Sequence, residues 1–172
     1  MDTPKKYYNW GDVERAAQSI IMQMYKDEWR PDYIVGLTRG GLPLAVLISH
    51  MASIRMETLK VKLRDLDDNE DGCESNCWMA EDAYEGKNIL IVDDINDTGA
   101  TFNWITKDWQ AGCMPRDDKW QSIWNNNVRF ATLTDNLASE FTEHCAYTCH
   151  EINKSEEDVW LVYPWECVGQ YL

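Results

Sequence analysis

The sequence predicts an α/β fold in which a central, mostly parallel sheet is flanked by helices. Short apolar runs of strand length, "YIVGL", "ILIVDD" and "VRFATLT", alternate with stretches whose apolar residues recur every three or four positions. Two of the runs break into small polar and glycine residues, "TRGG" and "INDTGAT", before the next helical pattern begins. Strand, loop, helix in repetition is the rhythm of parallel strands joined by crossover helices. A length of 172 residues suits one domain spanning 1–172, and 44% apolar with 27% charged residues suits a packed core.

From Asp12 to Trp29 the residues Val13, Ala16, Ala17, Ile20, Ile21 and Met24 form one apolar stripe, with acids near the start where a helix favours them. "RPDYIVGL" then reads as a buried strand, and Pro43 opens the apolar helix "PLAVLISHMASI". "METLKVKLRD" alternates as a strand and empties into an acidic stretch without period, predicted as a mobile loop over 65–82. "KNILIVDD" is a second buried strand, followed through "INDTGAT" by a helix beginning near Gly99; "NNVRFATLT" is a third. Residues 109–127 carry Trp109, Trp120 and Trp124 and read as an insertion anchoring a surface flap or an oligomer contact, with burial inside the protomer the other option. "EDVWLVYPWE" closes the chain with another short strand pattern.

The formal charge of −14, from 30 acidic and 16 basic residues, excludes a nucleic-acid partner held by a general positive field. A phosphate ligand would have to be met locally, by backbone N–H groups, a few basic side chains and a divalent metal. No apolar run approaches a membrane span, and "MDTPKKYYNW" lacks the apolar core of a secretory signal, so a cytoplasmic protein without membrane contact is expected. The six cysteines read as free thiols. In "HCAYTCH", Cys145 and Cys149 with His144 and His150 could bind zinc, but the spacing departs from the commonest knuckle and ordinary half-buried thiols are the favoured reading.

Asp93 and Asp94 stand at the carboxyl end of a buried strand, where open parallel sheets bind ligands. Carboxylates there can accept hydrogen bonds from sugar hydroxyls or hold magnesium. Thr98, Gly99, Ala100 and Thr101 begin a helix whose open N–H groups, dipole and hydroxyls suit a phosphate dianion. Asp97 lies between the two, placed to act as a general base or acid on whatever the sugar carries. Taken alone, "DDINDTG" is equally an ordinary strand exit with a turn and a capped helix.

The whole stretch "ILIVDDINDTGAT" nevertheless resembles the phosphoribosyl pyrophosphate signature of the type I phosphoribosyltransferases. "GLTRGGL" is similar to the family's pyrophosphate loop, at Thr38, Arg39, Gly40 and Gly41, and "DVWLVYPWE" looks like the base-binding end of the xanthine-guanine and hypoxanthine enzymes, with Trp160 stacking on the purine and Leu161 beside it. The resemblance covers about 30–101 and 128–166 and leaves the Trp-rich stretch unmatched. It implies that fold, with a mobile lid over 65–82 and a small base-binding hood. It also implies Mg2+, phosphoribosyl pyrophosphate and a nucleobase as ligands, and a homodimer or homotetramer.

On that resemblance the expected reaction joins a purine, with guanine, xanthine or hypoxanthine favoured, to the 5-phosphoribosyl group and releases pyrophosphate. Thr38 to Gly41 would take the pyrophosphate and Asp93 and Asp94 the ribose hydroxyls, with Asp94 also on the metal. Asp97 to Thr101 would hold the 5′-phosphate, and Asp97 would deprotonate the base. One departure bears on specificity: where 6-oxopurine enzymes carry a lysine, this chain has Asp135 followed by Asn136. Asp135 could read an amine on another base, Lys154 or a backbone N–H could do the lysine's work, or Asp135 could face solvent. Lys62 or Arg64 could supply charge at the root of the acidic loop, a solvated strand end being the other reading. The rival expectations are a non-catalytic regulatory protein that binds phosphoribosyl pyrophosphate, and a transferase for a different base.

Overall fold

A computed structural model describes residues 2–61, 63, 73, 76–113, 115 and 117–166. Its main sheet has five strands: β2 (Tyr33–Thr38), β3 (Met56–Lys60), β4 (Ile89–Asn96), β5 (Val128–Asn136) and β6 (Tyr147–Ile152). They lie in the order β3-β2-β4-β5-β6, and every pairing is parallel. Helices α1 (Trp10–Lys26), α2 (Leu42–Ala52), α3 (Cys77–Tyr84) and α4 (Ala100–Gly112) supply the layers on either face. A second, two-stranded sheet joins β1 (Lys5–Tyr7) to β7 (Trp160–Val162) in parallel.

Alternation along the strands distributes the core. Ile34, Leu90, Val92, Ala131 and Leu133 face α1 and α2, where they meet Val13, Ile20, Leu44 and Ile48. Tyr33, Val35, Ile89, Ile91 and Phe130 face the other way, against Met79, Phe102 and Ile105. Both faces are covered, so the strands read as nearly unbroken apolar runs. Helix α1 starts at Trp10, earlier than its apolar stripe suggests. Asn9 and Asp12 form a reciprocal capping box there, with Asp12 N donating to Asn9 Oδ1 and Asn9 N to Asp12 Oδ2, both at 2.8 Å.

Three features depart from the sequence reading. The acidic stretch expected as a loop over 65–82 becomes helical from Cys77, with the Asn76 side chain accepting from Met79 N at 3.1 Å; Lys62, Arg64 and 65–72 lie outside the described residues. The tryptophans expected on a surface flap or oligomer contact are inside the protomer: Trp109 belongs to α4 and Trp120 to a 3-10 turn (Asp118–Ser122), and both are at most 2% exposed. Trp120 stacks on Trp124 at 5.5 Å, and together they close the core beneath α3 and α4. Strands β1 and β6 carry no strand pattern in the sequence. β1 is exposed and charged and exists through pairing with β7, while β6 is an edge strand of mixed polarity whose Cys and His residues look like a metal motif.

The strand order places β2 and β4 side by side, with β3 beyond β2 and β5 beyond β4. Chain leaving β2 therefore diverges from chain leaving β4, which opens a crevice at their carboxyl ends. Both loops singled out by the sequence, 38–41 and 96–99, lie at that crevice.

Candidate active site

The end of β4 carries Asp93 and Asp94 into the crevice. Asp94 N donates to Asp93 Oδ1 at 2.9 Å and Ile95 N donates to Asp94 Oδ1 at 2.8 Å, so both carboxylates are oriented by local backbone. Burial, and next the adjacent Asp94 charge, hold the Asp93 carboxyl well above its ordinary value of 3.8. Such a group binds its proton more tightly folded than unfolded. Its stabilising contribution is complete below 3.8 and is lost as pH rises through the raised folded value. Asp93→Asn keeps an oxygen to accept from Asp94 N and removes the crowded charge. It is therefore expected to raise the melting temperature at pH 7 by about 2–4 °C, with the gain shrinking in acid; equal melting curves at pH 7 would show that the charge carries no penalty.

The loop after β2 packs directly on this acidic end. A Cβ on Gly40 would stand 2.5 Å from Asp94 Oδ2, and one on Gly41 would collide with the Val92 carbonyl oxygen and reach 2.9 Å from Asp93 Cα. Glycine at both positions is what lets 38–41 lie against the carboxylates. The peptide between Thr38 and Arg39 is cis. Thr38, Arg39 and Gly40 line a cleft of about 1380 Å³ with Lys60, Asp94 and Glu166; Gly41 serves the packing instead.

The loop after β4 builds the other half. Gly99 caps α4 at φ +88°, in the left-handed region, and as a glycine offers no side chain to cap the helix. Ala100 N donates to Thr98 Oγ1 at 3.3 Å, a long bond that leaves the helix start able to receive an anion. A strap after β5 holds this turn from behind: Glu140 N donates to the Thr98 carbonyl at 2.9 Å, and Asn103 Nδ2 to the Glu140 carbonyl at 3.0 Å.

Asp93, Asp94, Asp97, Thr98 to Thr101, Trp160 and Leu161 all line one cleft of about 340 Å³. Trp160 is 56% exposed, whereas Leu161 is buried. Into the same cleft come residues that the sequence reading left unassigned or gave only as an alternative. The Lys154 ammonium lies 3.0 Å from Asp97 Oδ1. Tyr163 stacks between Tyr8 and Trp165 and donates to the Asp94 carbonyl at 3.4 Å. Glu166 borders both clefts, its carboxyl pushed up by burial.

Asp135, expected to touch the base, does not line this cleft; its Oδ1 accepts from Asn96 Nδ2 at 2.9 Å, and burial holds its carboxyl above the ordinary range. The cysteine motif after β5 is built into the fold. Burial pushes the Cys145 thiol up to about 12, keeping it protonated against Thr132 Oγ1 at 3.3 Å. Among the described residues no group of three or more His, Cys, Asp or Glu is arranged to hold a metal ion. A magnesium site needs less, since one or two carboxylates suffice when substrate phosphates complete the shell, and the Asp93 and Asp94 oxygens fit that donor set. No helix of the described residues is long and apolar enough to cross a membrane.

The profile of the phosphoribosyl transferase domain matches residues 5–165. The xanthine-guanine phosphoribosyltransferase of Cereibacter sphaeroides is 26% identical over 172 residues, covering 96% of this chain and 89% of that one. Among solved structures, the purine phosphoribosyltransferase of Pyrococcus horikoshii superposes with a TM-score of 0.66 at 23% identity, covering 96% of this chain and 95% of the other. The Helicobacter pylori xanthine-guanine-hypoxanthine phosphoribosyltransferase gives 0.62 at 15% identity, covering 95% and 93%.

Proposed function

This chain belongs to the phosphoribosyl transferase family, and we propose that it transfers the 5-phosphoribosyl group of phosphoribosyl pyrophosphate to a purine base, with release of pyrophosphate. The observation that carries this reading is the company of groups in one cleft: the start of α4 at 98–101, the carboxylates of Asp93, Asp94 and Asp97, and the exposed Trp160 all line it.

The 5′-phosphate sits on the N–H groups and hydroxyls of Thr98 to Thr101, where the helix dipole favours it. Asp93 and Asp94 accept from the ribose hydroxyls and would hold Mg2+, which supplies charge neutralisation on the leaving pyrophosphate. Thr38, Arg39 and Gly40 form the wall for that leaving group, and Gly41 lets the loop pack close enough to do so. Trp160 covers one face of the base and Leu161 borders it. Asp97 accepts the proton of the ring N–H as that nitrogen bonds to C1′. The bond from C1′ to the pyrophosphate oxygen breaks, and its electron pair leaves with pyrophosphate. The transition state places positive character on the sugar, so the residues act by clamping and orienting charge.

The test is pyrophosphate release from phosphoribosyl pyrophosphate and Mg2+, with guanine, xanthine, hypoxanthine, adenine, uracil and orotate offered separately. A purine should support release, and chelating the metal should abolish it. Binding of the sugar donor with no release on any base would favour a regulatory protein instead.

A further inference from the structure

The turn between β4 and α4 is laid against a strap that begins at the end of β5 and runs through 142. Successive residues of the turn are bonded to it. Asn96, which is buried, donates through Nδ2 to Asp135 Oδ1 at 2.9 Å and accepts at Oδ1 from Ser139 Oγ at 3.0 Å. The Thr98 carbonyl accepts from Glu140 N at 2.9 Å. At Asp97, between them, the strap contributes Asn136, whose Nδ2 donates to the Asp97 carbonyl at 2.9 Å and, at 3.4 Å, to Asp97 Oδ1.

The orientation of the Asn136 amide is itself determined. The residue is 5% exposed, so its polar atoms must find partners inside the protein. Its Oδ1 accepts from Ala138 N at 3.1 Å and from Lys154 N at 3.0 Å, which fills both acceptor positions of the oxygen. Turning the amide over would set its NH2 against two backbone N–H groups, so those donors fix which end faces the turn. The NH2 end is thereby aimed at Asp97. Residues 96 and 98 are anchored without Asn136, so what its bond adds is the placement of residue 97 itself, which lines the cleft with Trp160.

We propose that Asn136 is a positioning residue for the reaction: it acts through Asp97, holding that residue where its carboxylate can take the proton of the base. This rests on the phosphoribosyl-transfer reading of the cleft. A general base works only within hydrogen-bond reach of the proton it abstracts, and a misplacement of about 1 Å can cost about 100-fold in rate. The phosphate turn at 98–101 keeps its own anchor, because the Glu140 bond to Thr98 is between backbone groups and no side-chain substitution removes it. Chemistry and donor binding are therefore held by separate bonds from one strap.

The experiment is steady-state kinetics with phosphoribosyl pyrophosphate, Mg2+ and guanine, xanthine or hypoxanthine, on the wild-type chain, Asn136→Ala, Asn136→Asp, Asp97→Asn and the double variant Asp97→Asn with Asn136→Ala. Asn136→Ala should lower kcat by about 10- to 100-fold and leave the KM for phosphoribosyl pyrophosphate close to the wild-type value. Asn136→Asp keeps an oxygen for Ala138 N and Lys154 N and loses the donor to Asp97, so it should show the same split; being isosteric, it carries the test if the alanine variant does not fold. In the Asp97→Asn background, adding Asn136→Ala should cost little more, since the group it places is already gone. A structural asparagine would move KM together with kcat, or would cost as much in that background as in the wild type. Either result, or an Asn136→Ala chain as fast as the wild type, overturns the proposal. A wild type that makes no nucleotide with any of the three bases sinks the transfer reading and the proposal with it, and because that outcome is read from the wild type alone the two failures are told apart.

Discussion

Asp97→Asn is expected to lower turnover by about 10²- to 10⁴-fold, the range for a positioned general base, while the affinity for phosphoribosyl pyrophosphate changes little. The substitution preserves size, and the bond from Asn136 to residue 97 is made mainly to its backbone carbonyl, at 2.9 Å, so the loop keeps its anchor. What is lost is an anionic oxygen that can take a proton, together with the charge facing Lys154. Single-turnover rates alongside donor binding separate these effects. A fall in affinity as large as the fall in rate would make Asp97 a binding residue, and equal activity in the two proteins would remove it from the chemistry.

Gly99→Ala is the second large effect, and it acts through the backbone. The new Cβ would collide with Phe141 N and stand 2.8 Å from Ser139 Oγ, while the φ of +88° is one that L side chains rarely adopt. Strain of this kind costs about 1–3 kcal/mol, and the collision with the strap adds to it. The turn that presents Thr98 to Thr101 must therefore shift. The expected result is a lower melting temperature together with a raised KM for phosphoribosyl pyrophosphate. Gly112 is the control: it closes α4 with nothing within 4 Å of a built Cβ, so Gly112→Ala should leave both quantities unchanged or stabilise slightly. If Gly99→Ala matched Gly112→Ala, the turn would be more yielding than its packing indicates.

Legibility in the sequence followed how local each cause is. β2, β4 and β5 are buried on both faces, so their composition alone marks them, and the acidic exit of β4 is contiguous and easily seen. β1 becomes a strand only by pairing with β7 across the whole length of the chain, and no local pattern encodes that. The tryptophans of 109–124 could be read as surface anchors because a tryptophan-rich polar stretch has no period; their burial depends on α3 and α4 meeting above them. Asp135 and Lys154 illustrate the same limit within the cleft. Asp135 occupies a conspicuous position near the carboxyl end of β5 but turns to Asn96, whereas Lys154 reaches Asp97 from a distant loop, through an asparagine whose bracket exists only once β4, β5 and that loop are assembled. A lysine beside a run of acids in "NKSEED" carries no signal of this placement.

The measurement that bears most directly on the whole account is mass-spectrometric identification of the product formed from phosphoribosyl pyrophosphate, Mg2+ and each of guanine, xanthine and hypoxanthine. The expected result is the matching nucleoside monophosphate, with one pyrophosphate released for each nucleotide made. Intact sugar donor and unchanged base with all three, from a chain that still binds the donor, would contradict it.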